Sequence, residues 1–169
     1  MTSERERGGR MRRALWAFVL VLPGTLSAQE ACRPDEVVIL DGGSGAAQAR
    51  FSVEIADDAP ERARGLMHRE SLAQSHGMLF VYEAPQQVAF WMENTLIPLD
   101  MIFTDRTGRV TRVHDSAVPL DRTPIPGGDE VLAVLEINGG LAAALGIGPG
   151  DMLRHPVFGA EAAAPCAGE

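Results

Sequence analysis

Between residues 47 and 55 apolar and polar side chains alternate without error. Ala47, Ala49, Phe51, Val53 and Ile55 fall on one side, and Gln48, Arg50, Ser52 and Glu54 on the other. Successive side chains of a strand point to opposite faces, so this stretch can bury its apolar half only as β-structure. The run 37–40 supplies a partner across the turn Asp41-Gly42-Gly43-Ser44-Gly45.

The period then changes. Asp58-Ala59-Pro60-Glu61 offers a capping acid, a proline for the first turn and a glutamate three residues on, so a short helix should start there and stop near Gly65. Short strands are expected at 78–82, ended by Glu83-Ala84-Pro85, and at 88–92, ended by Asn94-Thr95. A third, 100–104, turns through Asp105-Arg106-Thr107-Gly108 into 110–114. Residues 119–129 hold three Pro and two Gly and read as a long loop. The run 131–137 is apolar except for Glu136, residues 141–145 form a small helix capped by Gly146, and 152–155 is a last strand. Many short strands with two small helices predict a mainly β, α+β fold, a compact curled sheet or small β-barrel. The expected layout is a signal peptide over 1–28, a lead-in with the first strand over 29–46, one β-rich domain over 47–158 and a tail over 159–169.

The leader rests on five Arg within residues 1–13, an unbroken apolar run over 14–22 and the helix break Pro23-Gly24. Cleavage fits after Ala28 or after Ser27. The apolar run is too short to span a bilayer, so no stable membrane anchor is expected after cleavage. The chain is therefore read as periplasmic or secreted. Cys32 and Cys166 are the only two cysteines, and an oxidising compartment allows one intramolecular disulfide between them. A loop that long contributes ~4–5 kcal/mol on the chain-entropy model. The residues before Cys32, Gln29-Glu30-Ala31, lack the Leu of a lipidation site.

The net charge of −8 becomes −11 without the leader, with 10 basic and 21 acidic side chains left. Nucleic acid is disfavoured, because phosphate binding needs clustered positive charge. No metal site is expected: two distant Cys and the scattered His68, His76, His114 and His155 show no ligand spacing. No cofactor is expected, since neither a phosphate loop nor a dinucleotide fingerprint occurs. Ser71, Ser75 and Ser116 lack a nucleophile motif, and His114 and Asp115, adjacent on a strand, point to opposite faces.

The densest chemistry lies in residues 90–100. A Trp beside an amide and a carboxylate (Trp91, Asn94, Asp100) can stack a planar ligand and hydrogen-bond it. The structural alternative is a core Trp beside an Asn-Thr turn, with Asp100 capping local amides. Glu136 must reach water or find a partner, for which Arg64, Arg69 and Arg112 are available. It could act as an acid or base, or bridge the sheet by a salt bridge. A cleft of Arg69, Trp91, Asn94, Asp100 and Glu136 predicts a binding module, with no catalytic residue assigned. Its partner would be a small polar ligand such as a saccharide or peptide, or a cell-envelope component. Two alternatives stand beside it: a hydrolase or lyase of envelope polymer using Asp100 and Glu136, and an assembly domain without a small ligand.

Several ordered blocks carry a family resemblance. They are Ala63-Arg64-Gly65-Leu66-Met67, Gly77-Met78-Leu79-Phe80, Phe90-Trp91-Met92-x-Asn94-Thr95 with Ile97-Pro98-Leu99-Asp100, Val134-Leu135-Glu136-Ile137-Asn138-Gly139-Gly140, and Gly146-Ile147 with Gly150-Asp151. In these the chain resembles the family named domain of unknown function 192. The resemblance implies a compact β-rich domain, often exported, with no settled activity. One position departs: Glu93 stands where the family usually has Lys or Arg.

The leader yields a direct expectation. Protein recovered from the exported fraction should have an intact mass that lacks residues 1–27 or 1–28; a full-length mass there would contradict cleavage.

Overall fold

The computed structural model describes residues 31–167. The expected leader therefore lies outside the described residues. Seven strands form one sheet: β1 (Glu36–Leu40), β2 (Ala47–Ala56), β3 (His76–Phe90), β4 (Leu99–Thr104), β5 (Val110–Ala117), β6 (Ile125–Asn138) and β7 (Met152–Arg154). Two short helices, α1 (Ala59–Arg64) and α2 (Leu141–Leu145), and a 3₁₀ segment at Pro156–Glu161 complete the set. The strand order is β5-β4-β6-β3-β2-β1-β7. All neighbours are antiparallel except β2 and β3. The sheet curls so far that its outer strands meet at one end. Arg109 bridges Met152, and the Leu153 and Val110 amides donate to Gly108 and Asp151 carbonyls at 2.8 Å each. The expected curled, mainly β fold is the observed one.

Alternation sorts the side chains into two cores. Inside the curl lie Ile39, Phe51, Leu79, Ile102, Leu135 and Ile137. On the outer face of the central strands lie Leu66, Phe80, Leu99, Met101, Phe103 and Val134, beneath α1 and the following turn. β6 thus contributes alternate residues to two buried faces, which is why 131–137 reads as almost continuously apolar.

The helix starts as the sequence predicts: Asp58 accepts the Glu61 amide at 2.7 Å, Pro60 sits in the first turn and Gly65 ends it at positive φ. Two expectations need correction. The strands expected at 78–82 and 88–92 are one strand, β3, which passes through Pro85. β2 pairs with β3 only as far as Phe80, and the β3–β6 register shifts between Val81 and Gln86. Pro85 therefore sits in an irregular stretch open on its β2 side, where a missing N–H removes no ladder bond. The loop expected over 119–129 likewise ends early, because β6 begins at Ile125 and pairs Pro126 with Ala89 and Gly128 with Val88.

The tail is docked. Cys32 and Cys166 form a disulfide with Cα atoms 5.4 Å apart, and the Ala163 amide donates to the Thr107 carbonyl at 2.8 Å. His155 reinforces the junction: its Nε2 meets the Pro34 carbonyl at 3.0 Å and its Nδ1 accepts the Val157 amide. Burial holds that imidazole below its ordinary pKa.

At Gly127 the backbone passes so close to β4 that a Cβ would lie 2.3 Å from Phe103 and 2.7 Å from Val88. Both obstacles are buried. Gly127→Ala should therefore destabilise the domain by about 1–3 kcal/mol through overpacking. Urea unfolding checks this; an unchanged midpoint would show that the ring can move aside.

Candidate functional site

The outer core is incomplete at one place. Between α1 with its following turn and strands β3 and β6 lies a cavity of about 340 Å³. Its wall runs from Arg62 to Met67 and takes in Phe80, Tyr82, Phe90, Trp91 and Thr95. Glu136 forms part of the lining and is only 4% exposed. Register explains its place. Glu136 stands between Met78 of β3 and Met101 of β4, both outer-core residues.

None of the three expected arginines pairs with Glu136. Arg69 is engaged bidentately by Glu54 at 2.5 and 2.6 Å. Arg64 lines the cavity and Arg112 lies on β5, and neither forms an ion pair among the described residues. Burial alone pushes the Glu136 carboxyl up to about 8. The group is thus mainly a neutral acid at pH 7, able both to donate and to accept a hydrogen bond. Tyr82, which shares the lining, is raised above the ordinary phenol value by burial; Arg62 opposes the shift and Glu136 adds to it. Arg62 is committed: it bonds the Asp57 and Val81 carbonyls at 2.5 and 2.8 Å, meets Glu83 at 3.3 Å, and lies over the Tyr82 ring.

The five residues grouped from the sequence do not converge. Trp91 and Glu136 reach the cavity. Trp91 is 51% exposed, so it is not the core residue that the structural alternative supposed. β3 ends at Phe90, which releases Trp91 from strand alternation, and both side chains line the same space. Asn94 supports the wall from behind. It is left-handed, its carbonyl accepts the His68 amide at 2.8 Å, and its side chain contacts the Met67 sulfur. Arg69 lies elsewhere, with Glu54.

Asp100 is fully buried on the other face of the sheet. Its carboxylate accepts the Ser116 and Gly140 amides through Oδ1 at 2.7 and 2.8 Å, and the Ala142 amide through Oδ2 at 2.7 Å. It caps amides, as the structural alternative held. Asp100 pairs with Ile137 and Met101 with Glu136, so the two carboxyls project to opposite sides of the sheet. Paired-carboxylate hydrolysis needs both acids about one bond, so this geometry does not support it. Glu93 binds Arg122 of a neighbouring loop and is not among the cavity residues.

Sequence reasoning missed Arg62, Tyr82 and the 63–67 wall as site residues. A signal existed: all but three of the lining residues (Arg62, Tyr82 and Ala89) fall within the blocks that carry the resemblance.

Between pH 4.5 and about 8 the folded protein holds a proton on Glu136 that the unfolded chain releases. Stability therefore falls as pH rises through that window, by at most about 1.4 kcal/mol per pH unit. Glu136→Gln keeps the shape without the titration. Its stability relative to the parent should climb from pH 5 to pH 8 in urea unfolding; a constant difference would show that the carboxyl is not buried.

Comparison with known proteins gives a family match and similar solved structures. The model of domain of unknown function 192, described as uncharacterized ACR, matches residues 41–155. A crystal structure of a protein of unknown function from Novosphingobium aromaticivorans DSM 12444 is similar at 43% identity and a TM-score of 0.66, over 75% of this chain and 93% of that one. A protein from Sinorhizobium meliloti 1021, provisionally described as a transcription regulator, is similar at 37% identity and a TM-score of 0.68, over 73% of this chain and 94% of that one. No protein with a curated description matches.

Proposed function

We propose, for a chain that belongs to the domain of unknown function 192 family, that it is an exported, non-enzymatic domain binding a small polar ligand in the cavity over Glu136. The observation that carries this reading is a residue 4% exposed whose carboxyl lines a cavity of about 340 Å³ and forms no ion pair with Arg62 or Arg64 on the same wall. The carboxyl opens onto the cavity, so a ligand bound there can hydrogen-bond it directly. Trp91 adds an exposed flat ring at the same cavity, suited to a sugar face or a peptide side chain. Binding is preferred to envelope-polymer hydrolysis because Asp100 faces away from Glu136.

Export is supported by the leader and by the Cys32–Cys166 bond, which persists in an oxidising compartment. Among the described residues no helix is long and apolar enough to cross a membrane. One observation favours the assembly reading. Leu96, Val118 and Leu120 are exposed on two loops joined by the Leu120 amide to the Thr95 carbonyl. Self-association in sedimentation, lost in a Val118→Ser/Leu120→Ser variant, would favour it.

The binding reading has a built-in probe. The chain has two Trp, Trp16 in the leader and Trp91 in the cavity wall, so a domain starting at Gln29 reports from Trp91 alone. Saccharides and short peptides of the cell envelope should include a ligand that shifts this emission saturably and raises the melting temperature. Trp91→Ala should weaken that ligand about tenfold, a loss of about 1.4 kcal/mol. Indifference to the whole panel would defeat the reading.

A further inference from the structure

Four aromatic side chains, Phe80, Tyr82, Phe90 and Trp91, line the cavity that also contains the Glu136 carboxyl. Such rings carry negative faces that attract cations, and the attraction strengthens where ring and ion are desolvated. The protein already uses one of these rings in this way. The Arg62 guanidinium lies 5.1 Å from the centre of Tyr82, with its charge met by Glu83 and by backbone carbonyls.

We infer that the ligand carries a positively charged nitrogen that lodges against Glu136 among these rings. The inference rests on the binding reading above and names the chemical class of its ligand. A saccharide would use one or two flat surfaces and the hydrogen bonds of the acid. It gives no reason for a carboxyl without an ion pair in an aromatic-walled cavity where Trp91 offers an exposed ring. An anion could use Arg64, but it would meet the Glu136 carboxylate as pH rises, so its affinity should fall where that of a cation rises. A cation gains from both the rings and the carboxylate. Arg64, on the cavity wall, interacts electrostatically with Glu54 but forms no ion pair among the described residues, and it can meet a carboxylate or phosphate on the same ligand. Zwitterionic amines therefore fall within the class.

The charged and titratable groups around the cavity are Tyr82 from β3 and Arg62 and Arg64 from α1; β4 presents Met101 across from Glu136 and adds no charge. Glu136 is consequently the group whose protonation couples to binding. Its carboxyl, raised to about 8 by burial, must lose its proton to pair with a cation. Affinity for a permanent cation should rise with pH, by at most about tenfold per unit, and level off above about pH 8. A neutral ligand that accepts a hydrogen bond from the protonated acid should show the opposite trend.

The test uses the domain from Gln29 and Trp91 emission. The probes are choline, its uncharged isostere 3,3-dimethylbutan-1-ol and a saccharide panel, each titrated at about pH 6 and about pH 8. Choline should bind at least about tenfold more tightly than the isostere at the higher pH, and more weakly at the lower. Glu136→Gln, checked for fold by circular dichroism, should lose both the preference and its pH dependence. If the isostere or a saccharide binds as well as choline, or affinity falls as pH rises, the cationic class is overturned while the cavity remains a binding site. If no probe binds, the binding reading falls with it.

Discussion

The carboxylate of Asp100 holds together the parts of the chain that local sequence preferences leave apart. It lies fully buried on β4 and accepts amides from the end of β5, from the turn after β6 and from the first turn of α2. One of these segments uses backbone that a residue with a Cβ avoids: Ser116 is left-handed at φ 49°, whereas Gly140 at φ 81° is free to take that region. α2 has no side-chain cap of its own, and five residues are too few to persist alone. Asp100 supplies that cap from 42 positions away. Hydrogen bonds to a charged acceptor contribute about 1.5–3 kcal/mol each, enough to offset the strained turn and the short helix. The same anchoring sets the facing of β4, and through its pairing with β6 it places Glu136 on the opposite side.

The two buried carboxyls therefore have opposite roles. Asp100 has every nearby amide it needs, and its charge is a structural acceptor. Glu136 has neither an amide nor a cation, so burial favours its neutral form. An apolar side chain would fit the surroundings on β6 better, since its outer-face neighbours Met78, Met101 and Val134 are all apolar. A costly group kept beside a cavity is the mark of a site rather than of a scaffold, which is why the functional reading starts from Glu136 and not from the denser cluster around Asp100.

Much of the fold was legible because it rests on short-range rules. The alternation of 47–55, the Asp58 cap and the Gly146 stop each depend on neighbours within a few residues, and each is observed. The strand breaks at Pro85 and within 119–129 were misread for a physical reason. Proline forbids a strand only where its N–H is required, and that depends on which strand lies alongside. β2 stops pairing at Phe80, and β4 pairs with β6 only from Ala133, so neither irregular stretch has neighbours on both sides. Whether Trp91 lies in the core or at a cavity depends on β3 ending one residue before it.

The β-rich class, the positions of both helices, the two cysteines able to close the domain and the family are all readable from the chain alone. All of these follow from periodicity, caps and ordered motifs carried by contiguous residues. Which candidates share a space is set by how the strands pair. Arg69 went to Glu54, Asp100 to backbone amides and Asn94 to the rear of the wall, while Tyr82 and the 63–67 turn joined Trp91 and Glu136. The physical reason is strand pairing. Register across β3, β6 and β4 sets which face each side chain takes, and a shift of one residue would have exchanged Glu136 for Leu135 or Ile137 at the cavity.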